Sequence, residues 1–330
     1  MFKVLFPSVR IKPTQSFFNN GFLTSFSSRS LRFNTLKQSH AFTSNQSFPV
    51  LKSSFGFTNF FKSTLLKNKH SSISNQTRGF YRNANFSRAA WRTLQGPALF
   101  TAGFCVATTL VTPYLFSYTP LAYFKRNPYV LIYSIIAANG AVFLMWRAPQ
   151  LQSILMKYFL MTKLRLGSNW ALLGAAFSHQ SLTHFLVNMF VLHSFGTSLC
   201  AMIGASNFFA FYLNSAVIAS FLSLALPVLT RSNLAVGSLG ASGAIFSVFG
   251  TFSYLIPKAP IAFFFFPIPG GAWVAFLGGF AYNIAGMALK WSRFDFAAHI
   301  GGCIAGLGYG WWYDRKRKNM RSSVRRIVYT

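Results

Sequence analysis

Seven predominantly apolar runs fill the last two thirds of the chain, at about 97–119, 128–146, 183–203, 207–229, 239–256, 270–289 and 296–313. Each approaches the ~20 residues that an α-helix needs to cross a bilayer. Hydrocarbon offers no partner for a backbone N–H or C=O, so runs of this kind are expected to be helices. The expectation is an all-α polytopic membrane protein with seven spans, the first set apart by the loop Pro120–Pro128. Composition agrees: 10% of residues are charged, against about 25% in a soluble domain.

The segments between the runs read differently. Residues 147–181 hold Arg147, Lys157, Lys163 and Arg165 among Tyr158, Phe159 and Trp170. Such a mixture suits a loop lying in the headgroup region. The Phe-rich stretch 261–269, broken by Pro267 and Pro269, reads as an interfacial turn. The net charge of +29 could suggest nucleic acid, but 14 of the 31 Lys and Arg lie in residues 1–95 and seven in 315–330. The remaining ten are scattered between apolar runs, which fits membrane-flanking charge rather than a nucleic-acid face. Residues 1–95 contain no acid and are rich in Ser, Asn, Lys and Arg. That is the composition of a mitochondrial targeting segment, with part of its length left for a basic extension.

Only two acids are present, Asp295 and Asp314, and there is no Glu. A zinc protease motif H-E-x-x-H is therefore excluded. The two aspartates flank one apolar run, too far apart for an aspartyl dyad. Cys105, Cys200 and Cys303 all lie inside apolar runs without metal or disulfide spacing. No metal or cofactor is implied, and serine chemistry is the hydrolytic route left open.

A candidate serine exists. Gly240-Ala241-Ser242-Gly243 opens the fifth run with a serine almost bare of side-chain cover. A serine becomes a nucleophile when an adjacent base takes its proton, and histidine is the usual base near neutral pH. His299 stands 57 residues on, at the start of the last run. The third run carries His184 and Asn188, four apart and hence on one helix face. Polar groups within a span are costly and usually mark function, although they also serve as interhelical hydrogen-bond links. Together with Ser242 and His299 they would supply donors for an oxyanion. Gly302, Gly306 and Gly310 recur every four residues and would let the last helix approach the Ser242 helix closely.

The order H-x-x-x-N, G-x-S-G, A-H-x-x-G-x-x-x-G resembles the rhomboid intramembrane serine proteases, and most closely their mitochondrial inner-membrane branch. The likeness covers roughly residues 125–313. It implies a six-helix rhomboid core at 125–314, an extra N-terminal transmembrane helix at 96–124, a targeting and basic segment at 1–95, and a basic tail at 315–330. It implies that Ser242 is the nucleophile and His299 the general base. His184, Asn188 and the Ser242 backbone N–H would line the oxyanion hole. Gly240, Gly243, Phe246, Gly302 and Gly306 would support them, and His179 matches a family histidine before the third span. Phe246 stands where some members have Tyr against the base, and Trp170 is followed by Ala171 where many have Arg. Asp295, one turn before His299, invites a triad, but the family uses a dyad and an N-terminal cap explains the aspartate better. The expected partners are single-span membrane proteins cleaved in the inner mitochondrial membrane, and the lipid bilayer, with no nucleic acid. The alternative from the same resemblance is a catalytically inactive relative that binds membrane helices, which loss of Ser242 or His299 would favour.

Overall fold

The computed structural model describes residues 2–4, 86–163, 166–230, 237–263, 266–291 and 294–328. The expected targeting segment therefore lies, save for residues 2–4 and the helical residues from 86 on, outside the described residues. The protein is an all-α polytopic membrane protein, whose described residues are built on seven principal helices. They are α1 Phe86–Tyr118, α2 Pro128–Met145, α3 Leu182–Ile203, α4 Ala205–Leu229, α5 Ser242–Leu255, α6 Gly271–Ala288 and α7 Phe296–Val328. Among the described residues, α2, α3, α4, α6 and the Trp91–Tyr118 part of α1 are long and apolar enough to cross a membrane, while α5 is a shorter apolar helix of 14 residues.

Two ends differ from expectation. The first apolar run is expected at about 97–119. Instead Pro97 lies inside α1, which begins at Phe86. Tertiary contact carries the helix through it: Leu94 is buried against Met161, Leu172 and Val217. At the other end α7 continues to Val328, well past the expected boundary at 313–314. Its extension contains no Pro or Gly beyond Gly310, and Asp314 pairs along the helix with Arg317 at 3.3 Å and Lys318 at 2.7 Å. Pairs at these spacings support an exposed helix.

The short helix α5 is the centre of the bundle. Residues Gly243 to Ser253 are buried, apart from partly covered Phe246. It is flanked by α3, α4, α6 and α7. Its contact with α7 is backbone-close: a Cβ on Gly302 would collide with the Gly243 carbonyl, and one on Gly306 with that of Ser247. Two buried hydroxyls stitch the pair, with Ser247 Oγ donating to the Gly302 carbonyl (2.7 Å) and Thr251 Oγ1 to that of Gly306 (2.8 Å). Small residues and hydroxyls are how membrane helices associate without a hydrophobic drive between them.

The expected extra helix α1 packs on α4. Thr108 Oγ1 donates to Asn214 Oδ1, and Asn214 Nδ2 donates to Thr109 Oγ1 at 3.1 Å. The segment 147–181 forms short elements: helical turns Gln152–Tyr158 and Ala171–Gly174, and strand β2 (Met161–Thr162). Strand β2 pairs antiparallel with β3 (Gly237–Ser238), Met161 opposite Ser238. The stretch 261–269 makes a hairpin of β4 (Ile261–Phe263) and β5 (Phe266–Pro267), and β1 (Phe2–Val4) pairs with β4.

Candidate active site

Ser242 is the first residue of α5, directly after the β3 loop. Gly240 has φ +129°, a conformation that side-chain-bearing residues rarely adopt. A Cβ there would stand 2.6 Å from His184 Cε1. The loop is held from outside: Gly240 N–H donates to the Ala175 carbonyl at 2.8 Å, and Ala241 N–H to His179 Nε2 at 3.4 Å. His179 is fully buried, and burial, with His184 beside it, pushes its imidazole down to about 3, so the ring is neutral.

Across the α5–α7 contact, His299 Nε2 lies 2.8 Å from Ser242 Oγ. The Phe246 ring lies against the imidazole with centroids 4.6 Å apart. The other ring nitrogen, Nδ1, is 2.8 Å from Oδ1 of Asn283 on α6. The sequence reading did not single out Asn283, although a lone amide in an apolar run is the same signal that picked out Asn188.

Asp295 is not the third member of this line. Its Oδ1 accepts from Ala298 N–H at 3.2 Å, capping α7. Lys163 lies 3.1 Å from the same oxygen, and Ser223 Oγ donates to Oδ2. Burial works against the charge, but Lys163 and the hydroxyl outweigh it and hold the carboxyl below its ordinary range. The aspartate thus ties the loop after β2 and helix α4 to the start of the His299 helix.

His184 and Asn188 occupy the first two turns of α3, ahead of a π-helical turn at Leu192–Gly196. Asn188 is buried, and its Nδ2 donates to the His184 carbonyl at 2.8 Å. Ser242, His184 and His299 are shared by the walls of two cavities. One, of about 590 Å³, is edged by Ser181, Thr183, Ser220 and Ser238. The other, of about 630 Å³, is lined by Asn188, Val191, Ile245, Phe249 and Val274 among others. A serine hydroxyl facing an imidazole nitrogen at this distance can pass it a proton. Gly243, at the foot of α5, has no room for a side chain against Ala219 of α4, where a Cβ would come within 2.7 Å.

The rhomboid domain model matches residues 166–316, which contain all of these groups except Lys163. Over that stretch the chain is similar to the rhomboid family. It is 49% identical over 211 residues to Rhomboid protein 1, mitochondrial, of Saccharomyces cerevisiae, covering 64% of this chain and 61% of that protein. It is 40% identical over 179 residues to the human Presenilin-associated rhomboid-like protein, mitochondrial, covering 53% and 46%. With RHOMBOID-like protein 12, mitochondrial, of Arabidopsis thaliana the identity is 28% over 187 residues, covering 52% and 55%. The matched part thus spans about half to three fifths of the length of these relatives.

Proposed function

We propose that the chain is an intramembrane serine protease of the mitochondrial inner membrane, acting on single-span membrane proteins. The observation that carries this reading is the 2.8 Å approach of Ser242 Oγ to His299 Nε2 at the wall between two cavities. The mitochondrial assignment is supported by the names of the relatives and by the basic, acid-free first 95 residues.

Ser242 Oγ attacks the scissile carbonyl as His299 Nε2 takes its proton. The carbonyl oxygen becomes an oxyanion, for which His184, Asn188 and the Ser242 backbone N–H are the proposed donors. As this intermediate collapses, the imidazolium gives its proton to the leaving amine, and Ser242 keeps the acyl group. Water then attacks the ester, again with His299 as base, and Ser242 is restored. The cavity edged by serine and threonine hydroxyls suits the supply of that water. The more apolar cavity suits an apolar side chain of the substrate next to the cleaved bond.

The test is labelling of the purified full chain with a fluorophosphonate probe. Ser242-dependent labelling supports the reading. Equal labelling of wild type and Ser242→Ala overturns it and leaves the family resemblance as that of a helix-binding relative.

A further inference from the structure

We infer that Asn283 is a positioning residue for the base: it fixes the tautomer and orientation of His299 so that Nε2 presents a lone pair to Ser242. The inference deepens the proposed protease reading and rests on it. Neither the family resemblance nor the serine–histidine pair assigns a role to this asparagine.

The partners of the amide decide which of its ends faces the ring. Asn283 Nδ2 lies 2.8 Å from the Gly279 carbonyl, which can only accept. The NH₂ must therefore point there, and the atom 2.8 Å from His299 Nδ1 is the amide oxygen. An amide oxygen also only accepts, so Nδ1 must carry the hydrogen. A neutral imidazole has one N–H, and Nε2 is left with its lone pair toward Ser242 Oγ. The opposite tautomer would set two lone pairs against each other at 2.8 Å. The hydrogen bonds thus form one directed line, from Ser242 through His299 and Asn283 to the backbone of α6.

The surroundings are shaped for this contact. Asn283 is 1% exposed within an apolar span, where an amide without a partner would be costly. Glycines stand four residues before it and three after, on the same face of α6. A Cβ at Gly286 would collide with the Phe296 ring at 2.5 Å, whereas one at Gly279 would meet Phe246 in ordinary contact at 3.8 Å. The bare Gly286 therefore lets the Phe296 ring, which also flanks His299, close onto the face of α6 that carries Asn283. A neutral acceptor also gives the imidazolium of the reaction a partner without placing a second charge in the bilayer.

The experiment compares wild type, Asn283→Leu and Asn283→Asp in the full chain, reconstituted in liposomes. Leucine keeps the branched shape and cannot accept; aspartate keeps an acceptor oxygen. The readouts are the rate of fluorophosphonate labelling, kcat and KM on a single-span reporter, and the melting temperature. We expect Asn283→Leu to lower kcat and the labelling rate by about 10–100-fold with KM unchanged, as for other groups that orient a functional histidine. Asn283→Asp should recover at least part of that loss. Wild-type labelling of Asn283→Leu, or equal losses in both variants in step with a fall in melting temperature, would overturn the inference while leaving the protease reading intact. Failure of the wild type to label at Ser242 would overturn the protease reading itself.

Discussion

The Ser242–His299 half of the site is held from three helices, whereas the His184–Asn188 half depends on one helix and two loops. On the first side, glycines at 243, 302 and 306 bring α5 and α7 into backbone contact, Ser247 and Thr251 stitch them, and Asn283 reaches in from α6. On the second, Asn188 donates back to its own helix, and the His184 ring stands beside Gly240 and the buried ring of His179. The aim of that half is set by where the loops 175–181 and 237–241 hold it. On the proposed reading, the proton relay would be the pre-built part and the oxyanion donors the adjustable part.

This contrast is broken most severely at the relay. Ser242→Ala and His299→Ala should each remove cleavage of a reporter, by about 10⁴-fold or more, with membrane insertion unchanged. Wild-type turnover in either variant would end the assignment. Next comes Gly302→Val, whose side chain would be driven into the Gly243 carbonyl. Overpacking of this kind costs about 1–3 kcal/mol and separates the nucleophile from the base. Activity and melting temperature should fall together; a normal value of both would mean that the helices are not in tight contact there.

His184→Ala and Asn188→Ala sharpen the comparison from the other side. Loss of one oxyanion donor costs about 10²–10³ in rate elsewhere, and the low end is expected because the Ser242 N–H would remain. Labelling by fluorophosphonate and kcat on the reporter should fall alike, with little change in melting temperature. Unaltered kcat in both would leave these residues a packing role. Asp295→Asn tests the cap against a triad. It should lower the melting temperature, because Lys163 loses its partner, yet reduce kcat less than about tenfold. A loss of kcat close to that of His299→Ala would make Asp295 part of the relay.

How much of this could be read in the sequence follows from what each feature depends on. Five of the seven expected runs are long and apolar enough among the described residues, legible because bilayer thickness fixes run length. Ser242, His299, His184 and Asn188 stood out as candidates because each is a polar group in an apolar setting. Asp295 as a cap was legible too, since capping is local. What could not be read needs pairs distant in the chain. Lys163 meets Asp295 across 132 residues, and β2 meets β3 with no pattern in either two-residue strand. Asn283 was missed for a different reason: its run was read for length alone, and the glycine at 286 on its face has meaning only beside Phe296. The helix α1 begins ahead of the apolar run because residues before it, buried Leu94 among them, are held in the helix by packing.

The smallest expected effect concerns how the loop holding the adjustable half responds to pH. His179 lies before α3, outside the spanning helices, and burial sets its imidazole at about 3 against an ordinary 6.5. A histidine whose folded value is depressed binds its proton more readily in the unfolded chain. Its neutral form therefore supports the fold fully above pH 6.5, and that support is lost as pH falls from 6.5 toward 3. At pH 4.5 the loss amounts to about 3 kcal/mol at most, at 1.36 kcal/mol per pH unit. Protonation would also place a hydrogen on Nε2 and so remove the acceptor that Ala241 N–H uses. The melting temperature of the wild type should accordingly decline between pH 7 and pH 4.5. In His179→Phe, which cannot titrate, the decline should be shallower even if the variant is less stable at pH 7. Identical slopes in the two proteins would show that the loop under Ser242 is not held by a neutral His179.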